Sequence, residues 1–539
     1  MNPSSAGTPN RTIALLPWIS AALVPLLIVL VSWNRCPPML NADSAVGFYV
    51  WEAHEAGGPW NCYRDVDPAN ITRDMSLFLT WWSPGQYELP GLWRLLGFSW
   101  GHVMLLSTLS GCWVGAAGCW FLARGIGVGR RAAAWFMAAS TLQWHTLFSF
   151  GHFRGGDVLL GAATPWMILW AWRVRSSPGL FLAGIPLLLV GGLYLKLSAV
   201  LLVFPLLLTA GLANAWALRQ RLTVLGAWAL AAIALVCGTW MAIKIGFLDR
   251  GANPGSGEGR GIFSPVAFAV LSPWLSATGA GSLLGHIWWW LGRDVDEIWL
   301  MGGWVVAPLA LAMWWWPGRW LLRPLARPQQ IAMILLLGFS IAMFSALFIR
   351  GASIGVDDRF MRPTATVLLL AFALSLEDTA PRRRQLGALA LAAIAIFGTA
   401  AAAQRCISLA RMNAKGREDT TQQHLTQPTL AKLAAIDARG APNSILIYLP
   451  IPILGLEIRR QRTLITDDFT IRREHHWRGR VPELLMAMPD DMEADGRATR
   501  IRGEFADYDA AEWRGEHIAG WWFWSATTPK LAPGASGHS

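Results

Sequence analysis

The sequence predicts an α-helical polytopic membrane protein of about eleven transmembrane helices, with amphipathic helices in its outward loops and a small C-terminal α/β domain. Composition is the first reason: 54% of the 539 residues are hydrophobic, only 15% are charged, and 33 are Trp. The second reason is that apolar runs long enough to cross about 30 Å of hydrocarbon recur before residue 405. Both observations exclude a soluble globular domain.

The first apolar run, Thr12 to Trp33, is interpreted as a retained span rather than a signal peptide, because it is long and lacks a small-residue cleavage site. Ten further runs of spanning length follow it. They lie near residues 101–123, 132–150, 156–172, 179–195, 198–216, 223–247, 299–316, 329–349, 361–377 and 385–404.

Arginines mark one side of the predicted membrane domain. If the span count is right, five short Arg-rich connections fall on the same side, which the positive-inside rule makes cytoplasmic. We therefore expect a multi-pass inner (plasma) membrane protein with an extracytoplasmic, or periplasmic, opposite face. The net charge of +11 is then mainly a topology signal, and nucleic acid is not an expected partner. The connections contain Arg124, Arg130 and Arg131; Arg173 and Arg175; Arg219 and Arg221; Arg319, Arg323 and Arg327; and Arg382, Arg383 and Arg384.

Residues 1–404 are predicted to form the membrane module, with outer loops at 34–100 and 248–298. In the first loop, "DMSLFLTWW" and "YELPGLWRLLGF" predict interfacial helices, and Cys36 and Cys62 are candidates for a disulfide. Residues 405–539 are predicted to form the outward α/β domain. Its strands are expected in "SILIYLPIPI" and "RTLITDDFTI", and a helix in "QPTLAKLAAIDA".

Two outward carboxylates are candidate catalytic groups. Asp43 and Asp157 each begin a predicted helix, where a carboxylate also acts simply as a capping group. A carboxylate just above the bilayer can, however, remain ionised and reach a substrate hydroxyl, as a general base must. His152 and Arg154 lie beside Asp157 and favour a site over a cap.

Three outward cations are candidate phosphate ligands. Lys196 lies in a hairpin between two apolar runs, where snorkelling to the interface is the alternative explanation. Arg359 and Arg362 lie at the entrance of a late span, against the positive-inside bias, and binding an anionic lipid phosphate explains them physically. The alternative is pairing with Asp357 and Asp358.

No nucleotide or zinc motif is present. "GSGEGRG" lacks the Gly-Lys-Ser/Thr ending of a P-loop, and the adjacent His475 and His476 do not have the spacing of zinc ligands. No cofactor is expected to be required, and we predict no dedicated metal site, although Asp43 and Asp157 could bind a divalent ion.

Five stretches between residues 40 and 377 carry a further signal. In chain order they are "NADSAVGFYVWEA", "WWSPGQYELPGLWRLLGFSWGHVMLLSTLSG", "FRGGDVLLGAATPWMILWAW", "GGLYLKLSAVLLVFPLLL" and "DRFMRPTATVLLL". Together they resemble the GT-C membrane glycosyltransferases, in particular the branch of protein O-mannosyltransferases and the lipid A aminoarabinose transferase. The first is similar to the acidic first-loop segment of that branch, the second to its Pro-Pro-Leu-Tyr segment, the third to its Thr-Asp segment, the fourth to its Lys-containing hairpin and the last to its Arg-Tyr-x-x-Pro segment. The departures are the absence of Glu after Asp43, Ser83 and Gly85 in place of a more basic, Pro-rich sequence, and Gly156 in place of Thr.

The resemblance implies a GT-C-like fold and sugar transfer from a polyprenyl-phosphate donor to a glycan, lipid or protein acceptor on the outer face. By resemblance, Asp43 is the base, Asp157 the second acid, and Lys196 and Arg359 contact the donor phosphate. Arg362 is a further candidate contact, and Tyr87, His152 and Arg154 are expected as site neighbours. Displacement by the acceptor hydroxyl would invert the anomeric centre.

Two other functions remain open from the sequence. A polysaccharide polymerase or ligase using a diphosphate-linked oligosaccharide would be expected to depend on a loop such as the one containing Arg260 and Arg293. A lipid or solute transporter would need polar residues at mid-membrane, whereas the charges singled out above lie at the outer edge.

Overall fold

A computed structural model describes most of the chain, and the fold is a helical membrane domain followed by an α/β domain. The structure describes the backbone of Asp43 and Asp358 but not their side chains. It does not describe Asp357, Arg260 or Arg293. The described residues are 11–67, 69–79, 82–248, 263–281, 303–318, 326–350, 358–378, 380–412, 414–465, 483–505, 508 and 513–526.

The predicted class is confirmed, since every predicted apolar run overlaps a helix and eight described helical segments are long and apolar enough to cross a membrane. The described helices before residue 413 are α1 (Arg11–Ser32), α2 (Ala42–Glu55), α3 (Gly85–Arg94), α4 (Trp100–Gly125), α5 (Arg130–Leu142), α6 (Trp144–Phe148), α7 (Gly155–Val174), α8 (Pro178–Leu195), α9 (Val200–Leu218), α10 (Leu222–Ile243), α11 (Phe263–Thr278), α12 (Gly303–Met313), α13 (Arg327–Ile349), α14 (Arg362–Leu374) and α15 (Pro381–Met412).

Three details of the membrane domain differ from the sequence prediction. The run at 132–150 is broken at Gln143, whose extended backbone separates α5 from α6. The expected outer loop at 248–298 contains the apolar helix α11, whose Phe268 packs against Phe344 of α13. Helix α15 continues past residue 404 to Met412, because its last turns pack on Met39 of the first loop through Leu409.

The first outer loop combines two helices with a hairpin. Helices α2 and α3 confirm the predicted helix after Asn41 and the one in "YELPGLWRLLGF". The helix predicted in "DMSLFLTWW" is wrong, because Asp74–Phe78 forms a strand, β3, antiparallel to β2 (Cys62–Val66). Pairing with β2 satisfies the backbone of this segment, so it does not lie as a helix in the interface.

A short parallel pairing brings two distant segments together. Strand β1 (Met39–Leu40) pairs with β4 (His152–Phe153), with Leu40 opposite Phe153. Helix α2 begins two residues after β1, and α7 begins two residues after β4. Because the strands are parallel and in register, the N-termini of α2 and α7 emerge side by side.

The C-terminal domain is a five-stranded sheet of order β6-β5-β7-β9-β8, in which β6, β5 and β7 are parallel and β9 and β8 are antiparallel additions. The predicted strands and helix are confirmed as β5, β6 and α16, and residues 466–471 of the second predicted strand lie outside the described residues. Elements of the domain are β5 (Ile445–Leu449), β6 (Arg462–Ile465), β7 (Glu483–Pro489), β8 (Trp513–Ile518), β9 (Trp521–Ala526), α16 (Gln427–Ala438), α17 (Asp490–Ala494) and α18 (Arg497–Gly503).

Ionic contacts attach this domain to the first outer loop. The guanidinium of Arg462 pairs with Asp74 and donates to the carbonyl oxygens of Ile71, at 2.6 Å, and Arg73, at 2.7 Å. Glu418, almost fully buried, accepts a hydrogen bond from Arg94 Nη1 at 2.8 Å and also pairs with Arg459. The loop and the domain therefore form one layer, which contacts the start of α4 where the Gly101 N–H donates to the Glu418 carbonyl oxygen at 2.8 Å.

Candidate active site

Asp157 lies in the first turn of α7 and is the centre of the described site. Asp157 is 9% exposed to solvent, and its carboxylate pairs with the Lys196 ammonium through Oδ1. Its other oxygen, Oδ2, lies 4.0 Å from Nη1 of Arg359. The structure therefore brings together Asp157, Lys196 and Arg359, which the sequence places far apart in the chain.

Lys196 reaches this carboxylate because of a break between two helices. The residue ends α8 with φ −164° and ψ 137°, and a short 3-10 turn precedes α9. Its ammonium lies 5.4 Å from the centre of the Phe360 ring, over which the Arg359 guanidinium also lies at 4.9 Å. Because Lys196 is buried, the alternative of snorkelling to bulk water is wrong for this residue. Burial lowers the pKa of the Lys196 ammonium, and the nearby Asp157 carboxylate opposes this effect.

Arg362 is buried beneath the site rather than beside Lys196. Its Nη1 donates to the backbone oxygen of Asp157 at 3.1 Å, and its Nη2 donates to Thr146 Oγ1 at 2.8 Å. A Cβ atom at Gly161 would lie 2.6 Å from the guanidinium carbon, so this glycine of α7 makes room for the arginine. Arg362 thus fixes the first turn of α7 to α6.

Of the other predicted neighbours, Arg154 and His152 lie close to Asp157, whereas Tyr87 lies in the core of the first loop. Arg154 lies over the Phe148 ring at 5.2 Å, close enough to Asp157 and Lys196 to act on both electrostatically. Burial, with Arg154 and Arg405, lowers the pKa of His152 to about 3, so this imidazole is neutral at physiological pH. Tyr87 is buried in the loop core, where its hydroxyl donates to Asn61 Oδ1.

Asp43 lies in the first turn of α2, and the pairing of β1 with β4 places this turn beside that of α7. The structure does not describe its side chain, so the role of Asp43 as the general base stays a prediction.

Two residues that the sequence analysis missed also border the site. Gln86, in the first turn of α3, packs on α7 so closely that a Cβ atom at Gly156 would lie 2.7 Å from its carboxamide. Gly156, which stands where the resembling family has Thr, thus leaves room for the Gln86 side chain. The guanidinium of Arg405, in α15, lies 5.7 Å from the centre of the Phe148 ring, over which Arg154 also lies. Nothing in the run of small residues around Arg405 identifies it as a neighbour of α7.

Cations exceed carboxylates among the described side chains here. Lys196, Arg359 and Arg154 act on the Asp157 carboxylate, and Arg362 donates to its backbone oxygen. Arg405 lies on the far side of Arg154, over the shared Phe148 ring. Such a cluster at the membrane boundary is suited to an anionic group such as a phosphate. Within the described residues, no group of three His, Cys, Asp or Glu side chains is arranged to hold a metal ion.

Neither a protein-family model nor a curated protein matches this sequence. Solved structures do match its fold. The lipid A aminoarabinose transferase ArnT from Cupriavidus metallidurans, bound to undecaprenyl phosphate, aligns with 96% of this chain and 99% of its own, at a TM-score of 0.56 and 13% identity. The apo state of that protein gives coverages of 95% and 98%, a TM-score of 0.55 and 14% identity. The chain has the GT-C fold.

A third structure, the oligosaccharyltransferase of Archaeoglobus fulgidus in its apo form, aligns with 93% of this chain and 73% of its own, at 11% identity and a TM-score of 0.47. The two ArnT structures, which cover the membrane domain and the C-terminal domain together, carry the assignment. At these identities they show the GT-C fold alone.

Proposed function

We propose that this protein is a membrane glycosyltransferase that transfers a sugar from a polyprenyl-phosphate donor to a hydroxyl of a cell-envelope acceptor. The observation that carries the proposal is the buried Asp157 carboxylate with Lys196 and Arg359 around it, at the ends of membrane helices. The undecaprenyl phosphate named for one structure of the same fold supports this choice of donor.

In this mechanism the cations bind the leaving group. As the glycosidic bond breaks, negative charge develops on the donor phosphate, and Lys196 and Arg359 stabilise it. Asp157 holds these two cations in position before the donor arrives. Arg362, which donates to the Asp157 carbonyl and to Thr146, acts by fixing the α7 turn, which is a more indirect role than the phosphate contact expected from the sequence.

Asp43 is proposed as the general base that removes the proton of the acceptor hydroxyl. Direct displacement by this hydroxyl inverts the anomeric carbon. The scheme needs no metal, and the sugar is a hexose or a pentose. The Arg-rich connections support an inner-membrane protein whose site and C-terminal domain face the periplasm, where a glycan, lipid or protein acceptor would meet the layer formed by that domain and the first loop.

The test is transfer of radiolabelled sugar from membranes loaded with a panel of polyprenyl-phosphate sugars. Wild type is compared with Asp43→Asn and with Glu55→Gln, which removes a charge from the exposed far end of the same helix. We expect transfer by wild type and Glu55→Gln, and a loss of at least about 100-fold in Asp43→Asn. Equal rates in all three would remove Asp43 as the base.

If no donor of the panel supports transfer by the wild type, the glycosyltransferase proposal itself fails. A panel of diphosphate-linked oligosaccharides, run in parallel, then tests the polymerase or ligase function.

A further inference from the structure

A large apolar crevice lies at the end of the helices that is opposite to the Asp157 site. Helices α7, α9 and α14 all begin near the site, at residues 155, 200 and 362, and the crevice is lined by their later turns. Along α7, Asp157 and Arg175 are 18 residues apart, or about 27 Å at 1.5 Å per residue. The crevice is therefore separate from the proposed catalytic site.

The walls of the crevice are hydrocarbon-like and its volume is about 830 Å³. Trp172 of α7, Leu212 and Trp216 of α9, and Ile331 and Leu335 of α13 are among the lining residues. Trp216 is 69% exposed and Ile331 50% exposed. In a membrane domain such a surface contacts lipid chains, because water is excluded from the hydrocarbon region.

Two guanidinium groups lie at the mouth of the crevice. Arg175 ends α7, stacks on the Trp172 ring at 3.7 Å and donates to the Trp172 carbonyl oxygen. Arg327 begins α13 and is also part of the lining. Within the described part of the chain, neither side chain forms an ion pair with a carboxylate, so most of their donors are available to an anion.

The mouth is also held in shape by the protein itself. Gln329 donates through Nε2 to the Ile126 carbonyl oxygen at 2.7 Å, and its Oε1 accepts from the backbone N–H of Ala326 at 3.0 Å. These bonds fasten the start of α13 to the end of α4. The crevice is thus a formed feature between helices and does not require a ligand to open it.

We propose that the crevice binds one anionic phospholipid, with its phosphate against Arg175 and Arg327 and an acyl chain between α7, α9 and α13. Apolar walls alone would accept any lipid chain, but the two guanidinium groups in the lining select for negative head groups through charge-assisted hydrogen bonds. By the positive-inside rule this lipid belongs to the cytoplasmic leaflet. The proposal does not depend on the transferase function.

The test is native mass spectrometry of the purified full chain, titrated with phosphatidylglycerol or with phosphatidylcholine of the same acyl chains. We expect a single tight phosphatidylglycerol adduct in wild type and binding at least about tenfold weaker in the double variant Arg175→Gln/Arg327→Gln. The matched control is Arg382→Gln/Arg384→Gln, which removes two exposed charges at the same end of the membrane domain outside the crevice. It should bind like wild type.

A second variant tests the apolar part. Ala332, a crevice residue of α13, is replaced by Phe to fill the space without changing the charge. Ala332→Phe should weaken binding of both lipids, and thermal melting identifies a variant that fails to fold. Equal phosphatidylglycerol affinity in wild type and the double arginine variant, or equal affinity of wild type for the two lipids, would overturn the proposal.

Discussion

At the scale of single residues, the pairing of Asp157 with Lys196 should be strongly coupled. Removing one partner leaves a buried charge without compensation, which costs about 3–5 kcal/mol, whereas removing both leaves only Arg359, whose side chain is 24% exposed to solvent. We predict that Asp157→Asn and Lys196→Met each lower the midpoint of thermal unfolding in detergent, and that the double variant recovers most of the loss. Additive losses in the double variant would show that the two residues do not act as a pair.

His152 gives a prediction for the dependence of stability on pH. Its pKa of about 3 in the folded protein lies below the unfolded value of about 6.5, so between these pH values the unfolded chain binds a proton that the folded chain does not. Its contribution to stability is therefore complete above pH 6.5 and is lost as the pH falls toward 3. His152→Asn should reduce the drop in melting temperature between pH 7 and pH 5. A drop of the same size in this variant and in wild type would contradict the prediction.

The candidate site could be predicted from the sequence only in part. The type of a residue indicates which chemistry its side chain can perform, but not which side chains it contacts in the folded protein. Asp157, Lys196 and Arg359 stand out as charges at helix ends, and the structure brings them together. Arg362 carries the same signal, yet its guanidinium turns inward to Thr146. Gln86 and Arg405 carry no such signal, since their proximity depends on how α3 and α15 pack.

At the scale of elements, small residues set how closely α7 can approach its neighbours. A Cβ atom at Gly161 would lie 2.6 Å from Arg362, whereas one at Gly191 of α8 would meet nothing within 4 Å. We predict that Gly161→Ala lowers both thermal stability and sugar transfer, while Gly191→Ala is neutral or stabilising by up to about 1 kcal/mol. Equal behaviour of the two variants would contradict the close packing inferred around Arg362.

The end of α15 gives a second prediction at this scale, concerning cysteine. Ser32 Oγ lies 3.5 Å from Cys36 Sγ and 3.8 Å from Cys406 Sγ, and a hydrogen bond with Cys406 lowers the pKa of the Cys36 thiol. Cys36 therefore has Cys406 as its neighbour, and the disulfide candidate from the sequence, Cys62, lies in the hairpin strand β2.

We expect an added disulfide oxidant to join Cys36 and Cys406, with two protons and two electrons passing to the oxidant. Peptide mass spectrometry after alkylation of free thiols should detect this link in wild type and in Cys62→Ser, but not in Cys36→Ser. A link between Cys36 and Cys62 instead would refute the arrangement.

The elements themselves were largely predictable where their apolar period or length is strong. Strand β3 was missed because "DMSLFLTWW" has an amphipathic composition that suits either state, and only its pairing with β2 decides. Helix α11 was missed because Pro and Gly interrupt its surroundings, although its core position between α12, α13 and α14 stabilises it.

At the scale of the whole molecule, the attachment of the C-terminal domain to the first outer loop should weaken when Glu418 loses its charge. This residue is 2% exposed and holds Arg94 of the first loop and Arg459 of the domain together. We predict that Glu418→Gln accelerates limited proteolysis between residues 412 and 427, whereas Glu516→Gln, in an exposed pair with Lys432, does not. Equal cleavage rates would mean that other contacts carry the attachment.

Strand β1 has a consequence for the biogenesis of the protein. Met39 pairs with His152 on one side and bridges Thr421 on the other, and the Thr421 N–H donates to the Pro38 carbonyl oxygen at 3.0 Å. The segment that leads to Asp43 thus has its neighbours in place only after residue 421 has been translated and has reached the same side of the membrane. A chain still emerging from the ribosome would lack these contacts, so the proposed sugar transfer would begin only after residue 421 has been added and has docked against β1.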